Sequence, residues 1–128
     1  RPNLHVQDYC DAVKLLMKAP SEKVANEIFN VGYQNMSIME IAHVVKKVVE
    51  EEFSEKGEIG ITTTPTDDIR SYHINSDKIK NMLGFAPKLT VEDAVRGLCD
   101  AFKKGLVPNS FEDDRYFNVK RLKRINAA

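Results

Sequence analysis

The sequence predicts an α/β fold with few strands and no complete sheet. Three observations carry this. Apolar residues recur at helical spacing in four stretches. Two short stretches, Glu27–Gly32 and Gly57–Thr64, have the composition of strands bounded by glycine. The segments between them are short and rich in Ser, Pro, Asp and Gly.

In chain order, Asp8 reads as the cap of a helix running to Lys18, with Tyr9, Val13, Leu16 and Met17 on its apolar face and Cys10 beside them. Ala19-Pro20-Ser21 stops it. After the Glu27–Gly32 strand, Ser37-Ile38-Met39-Glu40 has the spacing of a reciprocal capping box. The helix it opens carries Ile38, Ile41, Ala42, Val45, Val48 and Val49 and fades at Glu50-Glu51-Glu52. Ser76 is the expected cap of a short helix over Lys78–Leu83, and Gly84 its left-handed stop. Thr90-Val91-Glu92-Asp93 opens a last amphipathic helix, ended by Gly105 and Pro108. Two strands cannot stand alone as a doubly wound fold. The expectation is therefore a domain over 1–108 belonging to a longer protein whose remaining strands precede Arg1, and a polar tail over 109–128 that packs only partly.

Charge and composition exclude several classes. Lys plus Arg and Asp plus Glu both number 19, so the net charge is zero and nothing pulls the chain toward nucleic acid or acidic lipid. Lys120-Arg121-Leu122-Lys123-Arg124 is basic, but Glu112-Asp113-Asp114 lies just upstream and no aromatic residues interleave it. It reads as a solvated tail. No apolar run is long enough for a membrane helix. Two cysteines, Cys10 and Cys99, make neither a disulfide framework nor a zinc site and read as buried free thiols in a cytoplasmic protein. No cluster has metal-ligand spacing.

The order of short motifs adds a resemblance. Arg1-Pro2-Asn3-Leu4-His5-Val6-Gln7-Asp8, then Ile28-Phe29-Asn30-Val31-Gly32, then Ser37-Ile38-Met39-Glu40-Ile41-Ala42 follow in turn. Asp68-Ile69-Arg70-Ser71-Tyr72, Ser76-Asp77-Lys78-Ile79 with Leu83-Gly84-Phe85-Ala86-Pro87, and Thr90–Val95 complete the series. Together they resemble the C-terminal, substrate-binding part of the NAD-dependent sugar-nucleotide epimerases and dehydratases, the extended short-chain dehydrogenases. The resemblance spans about residues 1–105.

The resemblance implies a division of labour. The N-terminal half of such enzymes binds NAD on a Rossmann domain carrying a glycine-rich loop and a catalytic Tyr-x-x-x-Lys pair. The C-terminal half grips the nucleoside diphosphate of the sugar. The chain matches the second half only, so it is expected to bind no NAD and to carry no catalytic residue. Gly57 and Gly60 have the first spacing of a phosphate loop but lack a third glycine and precede a strand. Tyr116-Phe117-Asn118-Val119-Lys120 matches Tyr-x-x-x-Lys by chance, far downstream of where the family carries it.

The implied substrate contacts are Arg1, Asp68, Arg70 and Tyr72. A guanidinium forks onto two phosphate oxygens, which suits Arg1 to a diphosphate. Thr64-Pro65-Thr66-Asp67 stands where many members carry a phosphate-binding Arg, and Arg70 is the available substitute. His5 reads as a structural residue ahead of the helix cap. The alternative reading is a non-catalytic interaction or assembly module on the same fold. Either way, apolar surface left on the first helix and the Ile28–Val31 strand predicts self-association.

Overall fold

The computed structural model describes residues 1–67 and 70–126. The chain is mostly helical, with two short antiparallel strands. In order they are β1 (Pro2–Asn3), α1 (Val6–Lys18), α2 (Ser21–Val24), β2 (Gln34–Asn35), α3 (Ile38–Glu52), α4 (Asp77–Leu83), α5 (Val91–Lys103) and α6 (Asn118–Arg124), with 3-10 turns at Ser54–Lys56 and Asp114–Tyr116. Among the described residues no helix is long and apolar enough to cross a membrane. The chain divides into two compact units, Arg1–Gly97 and Leu98–Ala128.

In the first unit β1 pairs with β2, Pro2 opposite Asn35 and Asn3 opposite Gln34. Reciprocal bonds between Arg1 and Met36 extend the pairing by a residue. The helices start and stop where local chemistry dictates. Ser37 Oγ accepts from the Glu40 amide at 3.1 Å while the Glu40 carboxylate accepts from the Ser37 amide at 2.6 Å, which completes the capping box of α3. Thr90 and Asp93 make the same exchange ahead of α5. Gly84 closes α4 in the left-handed region, at φ 71°. Ala12 of α1, Val48 of α3 and Ile79 of α4 are fully buried.

Five expectations are corrected. Neither Glu27–Gly32 nor Gly57–Thr64 is a strand. A strand exists only through a ladder partner, and side chains satisfy this backbone instead. Ser76 Oγ accepts from the Gly32 amide at 2.8 Å and donates to its carbonyl at 3.1 Å. Lys78 Nζ donates to the Ile28 carbonyl at 2.9 Å, and the Glu50 carboxylate accepts from the Ile59 amide at 2.8 Å. Ser76 therefore does not cap α4 with its hydroxyl; Asn75 Oδ1 takes the Asp77 amide at 2.8 Å. Asp8 does not cap α1: the helix begins earlier, and His5 Nδ1 accepts from the Gln7 amide at 3.1 Å. Cys99 is buried, but Cys10 is exposed, because α1 turns that side outward.

The second unit contains the end of α5 and the C-terminal segment. Gly105 ends α5 at φ 66°, its amide on the Phe102 carbonyl and the Leu106 amide on the Ala101 carbonyl, both at 3.0 Å. This pair of bonds is a Schellman motif. The segment after Pro108 takes up helical structure over Asp114–Tyr116 and Asn118–Arg124. Asp113 accepts from Arg115 at 2.6 Å, and Asp114 accepts from Arg124 at 3.1 Å with Arg121 a further 0.5 Å away, at 3.6 Å. Arg115 holds the Asp113 carboxyl down to about 2.

Candidate functional site

Two extended segments bring the expected contacts together. Residues 32–36 run beside residues 70–76, held by side chains that imitate backbone. Asn35 is the main tie: its Nδ2 donates to the Ile74 carbonyl and its Oδ1 accepts from the Ile74 amide, each at 3.0 Å. Ser76 makes the equivalent double contact to Gly32. The segments lie so close that a Cβ on Gly32 would stand 2.3 Å from Ile74 Cγ2. Gly32 is thus required for close approach, where the sequence suggested only a strand stop.

This arrangement sets Tyr72 beneath Arg1. The Arg1 guanidinium carbon lies 5.6 Å from the centre of the Tyr72 ring, within cation–π range. Arg1 Nη1 also donates to the Arg70 carbonyl. Of the four expected contacts, Arg1, Arg70 and Tyr72 therefore form one cluster on a surface shared by the two segments. Asp68 lies outside the described residues. Arg1 is half-buried, whereas Arg70 and Tyr72 are exposed.

Asp8 is a long-range anchor rather than a helix cap. Its buried carboxylate accepts from the amides of Lys88 and Leu89, at 3.1 and 2.8 Å. It ties the first turn of α1, which follows Arg1 in the chain, to the segment leading into α5. Gln34 acts alongside, its Oε1 accepting from the Val91 amide at 2.7 Å. Local spacing carries no signal for this role, because the amides that Asp8 accepts from lie 80 residues away.

Beside the 32–36 and 70–76 segments is a cleft of about 350 Å³, lined by Gly32, Tyr33, Ile74–Asp77, Lys80 and Phe85–Pro87. Its lining is mixed, with Ser76, Asp77 and Lys80 facing Phe85 and Pro87.

Outside the cluster, charge gathers between α3 and α5. Arg96 donates to Glu51, Glu52 and Glu92 at 2.5–2.9 Å, and Lys47 lies 3.7 Å from Glu92. The carboxylates, Glu92 foremost, raise the Arg96 pKa, and Arg96 in turn holds Glu92 below the ordinary carboxyl range. This network is structural: every acid in it faces a base. His43 is exposed. Lys120 sits over the Phe117 ring at 4.4 Å. No group of His, Cys, Asp and Glu among the described residues could hold a metal ion.

The glycines do not fit a dinucleotide. Gly57 follows the 3-10 turn at φ 77° and Gly60 lies in extended chain, so neither joins a strand to a helix N-terminus. Comparison of the chain with family models, with curated proteins and with solved structures finds no match.

Proposed function

We propose that this chain supplies the sugar-nucleotide-binding surface of an NAD-dependent nucleoside-diphosphate-sugar epimerase or dehydratase. The single observation that carries the reading is the Arg1–Arg70–Tyr72 cluster. Residues about 70 positions apart, singled out by motif order, meet in one place. A guanidinium presents its donors in a planar fork that matches a diphosphate. Tyr72 lies within cation–π range of that guanidinium, and the Arg70 carbonyl holds one end of it. The Arg70 side chain is exposed. On this reading the cluster binds and orients the substrate. Hydride chemistry at a sugar carbon belongs to a nicotinamide held by residues other than these.

Calorimetric titration of the chain with nucleoside-diphosphate sugars tests this. The expected result is weak binding, with Tyr72→Ala and Arg70→Ala each losing about tenfold, the scale of a charge-assisted contact of 1.5–3 kcal/mol. Arg70→Ala isolates the guanidinium, because the carbonyl used by Arg1 remains. Thr64→Ala is the silent control. Titration with NAD is expected to give no heat. Binding that ignores both substitutions, or micromolar NAD binding, refutes the reading.

A further inference from the structure

Asn35 links the two sides of the candidate site. Its backbone lies in β2 opposite Pro2, the residue next to Arg1. Its side chain reaches the other way, to Ile74, two residues from Tyr72. Both polar groups of the carboxamide go to that one residue, Nδ2 to the carbonyl and Oδ1 to the amide. This is the exchange that two paired strand residues make, with one partner replaced by a side chain.

We propose that Asn35 is a positioning residue of the sugar-nucleotide site: its carboxamide sets the register of residues 70–76 against β2 and so holds Tyr72 and the Arg70 carbonyl at Arg1. The assignment rests on the functional reading given above. Arg1 is fixed from the other side. Its amino group donates to the Met36 carbonyl at 2.6 Å, and its carbonyl accepts from the Met36 amide at 3.0 Å. The guanidinium on that anchored backbone meets Tyr72 and the Arg70 carbonyl. Both belong to the second segment, so their distance from Arg1 depends on how that segment is registered.

Backbone pairing does not set this register. The β1–β2 ladder is the only one among the described residues. Side chains set it instead. Ser76 holds Gly32 at the start of α4, four residues from Tyr72, whereas Asn35 acts two residues away. An extended chain advances about 3.3 Å per residue, so a slip of one residue carries Tyr72 that far and turns its ring to the opposite face. The Arg1 guanidinium is already 5.6 Å from the ring centre, and the attraction reaches to about 6 Å, so such a slip ends it. Ile74 presents one donor and one acceptor, and a carboxamide answers both. A carboxylate of the same shape only accepts and sets an oxygen against the Ile74 carbonyl. Leucine has the same shape and offers neither group.

Proton resonances of the Arg1 side chain, measured without ligand, test the placement, because the Tyr72 ring displaces them and Tyr72→Ala removes that displacement. Asn35→Leu is expected to lose at least half of it with the circular dichroism unchanged, and Asn35→Asp should fall with it. Asp93→Ala removes the acceptor for the Thr90 amide ahead of α5 and should retain the full displacement, which separates placement from general loss of stability. Calorimetric titration with UDP-glucose then reads the consequence. Asn35→Leu should weaken binding about tenfold, like Tyr72→Ala, and the double variant should be no more than about twofold weaker than either, since both remove the same contact. A full displacement in Asn35→Leu, or losses that multiply in the double variant, would overturn the positioning role. Absence of UDP-glucose binding to the unsubstituted chain overturns the functional reading instead, because the resonance measurement involves no ligand.

Discussion

Gly32 sits against the Ile74 side chain, and the smallest side chain added there meets it. Gly32→Ala should therefore lower unfolding free energy by about 1–3 kcal/mol, the range for overpacking a closed site, measured by urea denaturation. The far atom is a branched side chain held by Asn35 on its own backbone, so it has little room to retreat. Asp8 makes the opposite kind of demand. Asp8→Ala leaves the Lys88 and Leu89 amides without an acceptor and should cost about 1–3 kcal/mol, whereas Asp8→Asn keeps an oxygen and should cost less. Comparing the two variants in the same denaturation assay separates a backbone anchor from a simple helix-end charge. Neither role was legible in the sequence. Asp8 stands at the head of an apolar run, where an acid is normally a cap, and local spacing does not encode a partner 80 residues on.

Several helix ends, by contrast, are short-range devices that the sequence revealed. Ser37 with Glu40, Thr90 with Asp93, and the glycines at 84 and 105 act within one turn of where they stand. Ser37→Ala should cost about 1 kcal/mol by thermal denaturation, since it removes the acceptor for the Glu40 amide. Strands obey a different logic. Glu27–Gly32 has strand composition and no ladder, because pairing is a property of two segments and composition is a property of one. The only regular pairing among the described residues, Pro2–Asn3 with Gln34–Asn35, contains a proline, two asparagines and a glutamine, all poor strand formers. The orientation of α1 follows a related logic. Helical periodicity identified an apolar face but not that Asp8 and Ala12, rather than Tyr9 and Met17, would be the buried side.

At the scale of the molecule the charge networks set the response to pH. The carboxyls of Glu40, Glu50 and Glu92 lie below their ordinary value of 4.5, held down first by Ser37, by the Ile59 amide and by Arg96 respectively. Groups depressed in the folded state contribute fully above that value, and the contribution is lost as the pH falls through their folded values. Lys46, raised by Glu58 and Glu50, contributes fully below its ordinary 10.5 and loses that contribution as the pH rises further. The thermal midpoint should therefore be level from about pH 5 to 10 and decline on the acid side first, in a series of buffered melts. The candidate site was legible only as a list of residues: motif order named Arg1, Arg70 and Tyr72, but the side-chain ties that bring them together were invisible in it. Those ties also have a kinetic signature. Because the Gly32 and Ile74 amides are bound by the hydroxyl of Ser76 and the carboxamide of Asn35, rotating one side chain releases each of them without separating the segments. Their deuterium uptake should then be independent of urea, marking a local opening, while the Met36 amide, bound to the Arg1 carbonyl, exchanges only when the two strands part.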